Sequence, residues 1–149
     1  MIFISHRGNI GGINIAGENS EESILEAINQ GYECEIDVWY KNGEYFLGHE
    51  TPQFITSINF LKKDKLWIHC KNIEALYQIH NLSKCFFHNG DDVVLTSNNF
   101  LWTYVGKLLT PDSICVLPEL SKYSLEHLKN CYAICSDNIQ YYKNLIQKL

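Results

Sequence analysis

Glu35 and Asp37 stand two residues apart in the run Cys34-Glu35-Ile36-Asp37-Val38. Alternate side chains of an extended strand share a face, so both acids point one way while Ile36 and Val38 point the other. Carboxylates held that close repel each other. A divalent cation between them relieves the repulsion, and Mg²⁺ or Ca²⁺ prefers oxygen ligands of this kind. Glu33 has the same parity, so the run alone reads equally well as a solvated strand face.

Three other segments offer partners. His6-Arg7-Gly8 follows the apolar run Ile2-Phe3-Ile4-Ser5, which places His6 at the C-terminal end of a strand on the face of Ile2 and Ile4. Catalytic groups of parallel α/β folds gather at such ends. Arg7 can grip a phosphate through two N–H groups, and Gly8 lets backbone approach a ligand. Gly48-His49-Glu50 returns a second imidazole toward the Glu35–Asp37 strand. Two histidines beside a phosphate can share general acid and base work, because imidazole titrates near neutral pH. In Trp67-Ile68-His69-Cys70-Lys71, His69 offers a third metal ligand and Lys71 a phosphate contact. Taken singly, each of these residues has an ordinary structural or surface role open to it.

Elements with short apolar runs and helical periodicity must position these groups. Strands are expected at 2–5, 32–40, 44–48, 66–70, 85–88, 93–96, 114–117 and 132–136, and 101–105 is ambiguous. Helices are expected at 20–30, 55–63, 73–81, 125–130 and 139–148, the first capped by Ser20 with Glu21 and Glu22 in its opening turn. Residues 9–17, with their glycines and asparagines, form a loop, and Asn42-Gly43 is a hairpin turn. The alternation predicts one α/β domain over residues 1–149 with a mostly parallel sheet.

Composition narrows the classes. With 46% hydrophobic and 13% aromatic residues the chain has a core to bury, so disorder is excluded. A net charge of −5 with no Lys/Arg run argues against nucleic acid as a partner. The six cysteines, Cys34, Cys70, Cys85, Cys115, Cys131 and Cys135, match no paired zinc spacing and read as buried free thiols. The short apolar start lacks the length of a signal peptide, and no apolar run is long enough for a membrane segment. The expectation is a cytoplasmic protein.

Taken in order, His6-Arg7-Gly8, Glu18-Asn19-Ser20, Glu35-Ile36-Asp37-Val38 and Gly48-His49-Glu50 resemble the signature of the glycerophosphodiester phosphodiesterase family. Order and intervals agree through the first half of the chain. Tyr132-Ala133-Ile134-Cys135-Ser136-Asp137 is similar to the family's last strand. The resemblance implies a TIM barrel, a divalent metal on Glu35 and Asp37, acid/base chemistry at His6 and His49, and Arg7 on the phosphate. It implies that Asn19 touches substrate or a metal ligand. Two departures stand out. His69-Cys70-Lys71 occupies the place of the family's Glu-x-Lys, keeping the lysine and replacing the third carboxylate. An imidazole there shifts preference from Mg²⁺ and Ca²⁺ toward transition metals. The chain is also well short of the roughly 250 residues of a TIM barrel. A trimmed TIM-like barrel of roughly seven or eight mostly parallel strands follows, with some outer helices shortened or missing. A bare flank of that kind exposes apolar surface and favours a homodimer.

The expected function is therefore metal-dependent hydrolysis of a small-molecule phosphodiester. Catalysis falls to His6 and His49, phosphate binding to Arg7 and Lys71, and one divalent ion to Glu35, Asp37 and His69. Trp102 and Tyr104 offer an apolar wall for the alcohol group or core packing. His88, Glu119 and Asp137 are softer candidates, Asp137 as a hydrogen-bonding group across the barrel mouth. Two alternatives are a family member that only binds a phosphodiester or sugar phosphate, and phospholipase C- or D-like chemistry on the same fold.

Overall fold

The computed structural model describes residues 1–148. The chain begins with strand β1 (Ile2–His6), a fourteen-residue loop rich in glycine and asparagine, and helix α1 (Glu21–Asn29). Ser20 caps α1 as expected, its hydroxyl accepting the Ser23 N–H. Strand β2 (Glu33–Lys41) turns back through Asn42-Gly43 into β3 (Glu44–Leu47). Both turn residues have positive φ, 54° and 84°, the requirement of a two-residue hairpin turn that follows the twist of the strands.

Next come β4 (Phe54–Thr56), α2 (Ile58–Leu61), β5 (Leu66–Cys70), α3 (Ile73–Ile79), β6 (Cys85–Phe87), β7 (Val93–Leu95), β8 (Leu101–Thr103) and β9 (Ser113–Val116). A 3₁₀ turn (Pro118–Leu120), α4 (Leu125–Lys129), β10 (Ala133–Ser136) and α5 (Ile139–Gln147) complete the chain. The helix expected at 55–63 is shorter than its pattern suggested. Phe54-Ile55-Thr56 instead pairs antiparallel with β3, and the helix waits for its cap at Ser57. Two β-branched residues before a capping serine favour that division. The ambiguous segment after residue 100 is a strand.

The ten strands form one mixed sheet. Six neighbouring pairs are parallel and three antiparallel. The expectation of seven or eight mostly parallel strands in a TIM-like barrel is thus corrected to a ten-stranded mixed sheet that curls without closing. Its path runs β6-β5-β2-β1-β10-β9-β8-β7, with β3 and β4 branching from β2. No ladder joins β6 to β7. The seam is bridged by the Ser97 N–H donating to the Cys85 carbonyl at 2.8 Å. The curl is read from the aromatic stack inside it. Phe86 of β6 lies 4.3 Å from Trp102 of β8, although the two strands are not paired.

Side-chain parity sorts the core into layers. Ile4, Trp67, Phe86, Trp102, Ile114, Val116 and Ala133 fill the concave face. On the convex face, Cys34, Ile36, Val38, Ile68 and Cys70 pack with α1, α2 and α3, while Cys115, Ile134 and Tyr142 pack with α4 and α5. All six cysteines are free and buried. Helices are missing between β6 and β9, and there Val93 and Leu95 are exposed beside Ile73 and Tyr77. Among the described residues, no helix is long and apolar enough to cross a membrane.

Gly48 fixes the end of the β3 arm. Its φ is 146°, and a Cβ there would collide with the Thr51 carbonyl oxygen. Its N–H donates to the Asp37 carbonyl, and its own carbonyl accepts the Trp39 indole N–H at 2.7 Å. Gly48→Ala is expected to destabilise the fold by roughly 1–3 kcal/mol, the usual cost of a strained backbone residue. The check is a urea titration of both proteins, and an unchanged midpoint would contradict this account of the arm.

Candidate metal centre

Strand register brings the polar side chains together. His6 pairs with Glu35 across β1 and β2, and Asp37 pairs with His69 across β2 and β5. His6 at the C-terminal end of β1 and His69 near that of β5 therefore flank Glu35 and Asp37 in the first half and middle of β2. Glu35 and Asp37 are buried, as is His6, in an interior that tolerates charge only when it is paired or coordinated.

The ligand atoms of Glu35, Asp37 and His69 all lie within 4.8 Å of one another. His69 Nδ1 stands 3.0 Å from Asp37 Oδ1 and 3.9 Å from Glu35 Oε1. Its ring is held flat against Phe86 at 5.0 Å, and His88 lies 5.5 Å away on the other wall, itself stacked on Tyr104. Asp37 is the hub. Asn19 donates to its Oδ2 at 3.0 Å and accepts its backbone N–H at 2.8 Å. Arg7 Nε lies 3.2 Å from Oδ2, and Lys71 Nζ 3.5 Å from Oδ1. Arg7 Nη1 also reaches Glu18 at 3.3 Å.

Three buried atoms in this cluster have no aligned hydrogen-bond partner: Arg7 Nε, Glu35 Oε2 and Asp37 Oδ1. Proximity to opposite charge does not satisfy them: Arg7 Nε is 3.2 Å from Asp37 Oδ2 without making a hydrogen bond to it. Buried polar atoms left over in a folded protein call for an explanation. Two carboxylate oxygens and an imidazole are the donor set of a divalent ion with mixed O and N preference, such as Mn²⁺ or Zn²⁺, and remain acceptable to Mg²⁺. The residues fit the metal that the sequence resemblance implies.

Burial and Asp37 push the Glu35 carboxyl above its ordinary pKa. Burial acts the same way on Asp37, but His69, Lys71 and Arg7 outweigh it and hold that carboxyl below the usual carboxylate range. Burial would lower the pKa of His6, yet its bond to Asp137 and the nearby Glu35 raise it. His49 is shifted the other way, by burial and by the positive Arg7 and Lys71.

His6 Nδ1 lies 2.7 Å from Asp137 Oδ1, leaving Nε2 directed toward Glu35 Oε2 at 3.8 Å. Asp137 in turn accepts from the Asn9 amide at 2.8 Å, and its backbone N–H donates to Glu119. Glu119, a softer candidate in the sequence, sits behind the site and anchors Ser136 and Asp137. Asp137 was expected to bond across the barrel mouth; it bonds instead to His6 at the end of the neighbouring, paired strand.

A cleft of about 450 Å³ is lined by His6, Arg7, Asn19, His49, Asp137 and Leu117 among others; Glu35, Asp37, His69 and Lys71 do not line it, and the link to them runs through His6, Arg7 and Asn19. His49 is half-buried there, with Nδ1 2.6 Å from Glu50. Trp102 is not in the cleft. It is buried in the concave core between Phe86 and Trp67, so the apolar wall it was expected to supply lies elsewhere. A groove of about 730 Å³ between α3 and β7 is larger but is lined mainly by apolar side chains and has no comparable acid–base set. Chemistry, not size, selects the smaller one.

Backbone strain marks the same place. Among the described residues five non-glycines have positive φ, and three of them, Arg7 (54°), Asn19 (58°) and Leu117 (46°), line this cleft. His6 to Asn9 is a tight turn closed by the Asn9 N–H on the His6 carbonyl, with Arg7 and Gly8 both left-handed. Such conformations persist where the surroundings enforce them, and they gather at ligand sites. No residue type around Leu117 signals its left-handed backbone. Asn9, which ties Glu18 to Asp137, was legible only as part of a loop.

Compared with models of protein families, with curated proteins and with solved structures, the chain finds no match in any of the three.

Proposed function

We propose that the chain is a metal-dependent phosphodiesterase acting on a glycerophosphodiester-like substrate, with His6 and His49 sharing general acid and base work. The observation that supports this most is the union of two features. Three metal-type ligands converge with buried oxygens unsatisfied, and two of them, Glu35 and Asp37, touch His6 and Arg7 of a cleft that His49 also lines. An internal ion-pair cluster needs the carboxylates and cations but has no use for His49. Within this reading the curled sheet is a trimmed and opened relative of the TIM barrel, and the six free thiols suit a cytoplasmic setting.

Glu35, Asp37 and His69 hold the divalent ion, which when bound neutralises negative charge on the phosphate. Arg7 and Lys71 bind non-bridging oxygens and orient the diester. Asn19 keeps Asp37 in place through two hydrogen bonds. One imidazole takes the proton from the attacking hydroxyl as its oxygen bonds to phosphorus. The other gives a proton to the alcohol oxygen as its bond to phosphorus breaks. Water as the nucleophile releases a phosphomonoester, and a neighbouring substrate hydroxyl releases a cyclic phosphate. Asp137 fixes which nitrogen of His6 carries hydrogen by accepting from Nδ1, so that Nε2 is left as the basic nitrogen.

Asp137→Asn is expected to lower kcat roughly ten- to a hundredfold with little change in KM, the usual size of losing such an orienting partner. Its pH–rate profile should also shift one limb toward lower pH, because the Asp137 bond is what raises His6. A KM effect alone would contradict the orienting role.

The function is tested by following glycerol phosphate release from glycerophosphodiesters, with a bis-aryl phosphodiester alongside. Samples are loaded with Mg²⁺, Ca²⁺, Mn²⁺ or Zn²⁺ or treated with chelator, with Glu35→Ala as the control for contaminants. Metal-dependent release that is lost in the variant supports the reading, and no release with any ion defeats it. A second reading has one observation in its favour. Arg7, Lys71 and His69 already surround Asp37, which suits a charge-balanced site that binds a phosphodiester without turning it over. Saturable binding of glycerophosphocholine without product would select that reading.

A further inference from the structure

We propose that His88 is a further substrate-binding residue, which grips the phosphodiester from the side opposite His6 by donating its Nε2–H to a phosphate oxygen beside Lys71. This rests on the phosphodiesterase reading and adds a residue to that site. Strand order sets the place. His6 ends β1, Glu35 and Asp37 lie on β2, His69 lies on β5, and His88 directly follows β6, the four strands being neighbours in that order. β6 runs parallel to β5 with Phe87 opposite Cys70, so Lys71 and His88 leave adjacent strands at the same level. The metal ligands therefore stand between His6 on one side and His88 on the other.

Aromatic rings fill the concave face here in two tiers. In the lower tier Phe86 stacks on Trp102 at 4.3 Å, and both rings are buried. Two residues further on, His88 stacks on Tyr104 at 4.0 Å, as alternation along an extended chain requires. His69 spans both tiers, 5.0 Å from Phe86 and 5.5 Å from His88. A second phenylalanine would fill the upper tier as Phe86 fills the lower. An imidazole instead brings two nitrogens to a half-buried position at the strand ends. One of them is taken: Nδ1 accepts the Gly90 N–H at 3.2 Å, in the turn that follows β6. A nitrogen that accepts is bare, so the hydrogen of this neutral ring sits on Nε2. His88 is thereby a donor of fixed tautomer beside the metal ligands. An anionic phosphate oxygen is the acceptor that rewards such a donor most.

Amide substitutions separate the two nitrogens. His88→Gln puts an N–H donor where Nε2 stands and gives up the acceptor for Gly90. His88→Asn keeps an acceptor for Gly90 and gives up the donor. His88→Phe keeps the stack on Tyr104 and neither nitrogen. Cleavage of glycerophosphocholine is followed with each protein loaded with the ion that gives wild type its highest rate. kcat/KM should fall roughly ten- to a hundredfold in His88→Asn and His88→Phe, the usual worth of a hydrogen bond to a charged group, and stay within about threefold of wild type in His88→Gln. The loss should fall mainly on KM, as for a group that holds substrate and transition state alike. Activity near wild type in His88→Phe, or a His88→Gln no better than His88→Asn, overturns the role of His88 while the phosphodiesterase reading stands. No cleavage by wild type with any ion overturns both.

Discussion

Replacing His6 by alanine is expected to lower kcat by about 10²- to 10⁴-fold, the range for removing a general acid or base. Ion binding should survive, because His6 is not among the three residues whose donor atoms converge. The side chain's Nδ1 is already engaged by Asp137, and its Nε2 lies 3.8 Å from Glu35 Oε2. Its loss therefore removes a proton carrier without opening the core, since Asn9 continues to hold Asp137. Single-turnover kinetics and ion titration on the same preparation separate the two effects. Turnover close to wild type in both His6→Ala and His49→Ala would contradict the proposed division of proton transfer.

Replacing Glu35 by glutamine should change stability in opposite directions with and without metal. In chelator, Glu35 has a folded pKa raised above its ordinary value of 4.5 by burial and by Asp37. Protonation then favours the fold. That contribution is fully present below the unfolded pKa and disappears as pH rises through the folded one. The metal-free wild type therefore carries a buried, unsatisfied carboxylate at a pH above the folded pKa that it does not carry below it. Glutamine stays neutral throughout. The variant should match wild type most closely at the acidic pH and melt higher at the alkaline one, by about 2–4 °C for each kcal/mol of relieved repulsion. With the ion at a hundredfold its Kd, wild type gains about 2.7 kcal/mol and the variant, lacking one ligand charge, gains little. A variant that tracks wild type at both pH values and in both conditions would show that Glu35 neither repels Asp37 nor holds an ion.

Much of this site follows from local rules. Strand parity places Glu35 and Asp37 on one face, and a histidine ending an apolar run belongs at the C-terminal edge of a parallel sheet. A two-residue Asn-Gly turn returns His49 over the same strand. These inferences need only neighbours in the chain. His6 meets Asp137 across almost the whole sequence, a contact that depends on β1 and β10 lying side by side. Trp102 was open to both cleft wall and core packing, because strand periodicity cannot say which concave positions are filled by core. The stack with Phe86 decides it. The open seam between β6 and β7 and the strand at Phe54–Thr56 were hidden for a similar reason. Short apolar runs fit strand and helix alike until tertiary pairing selects one. The left-handed backbone at Leu117 has no signature in residue type, since leucine is an unfavourable choice for it.

The central claim is that one divalent ion, held by Glu35, Asp37 and His69, supports phosphodiester cleavage in the cleft beside it. The most direct measurement titrates Mn²⁺ into chelator-stripped protein while reading bound ion and glycerophosphodiester cleavage together. The account predicts that both rise in parallel and saturate at a single ion per chain, and that Glu35→Gln and Asp37→Asn suppress both. Cleavage that persists in chelator, or ion binding that neither variant weakens, would contradict it.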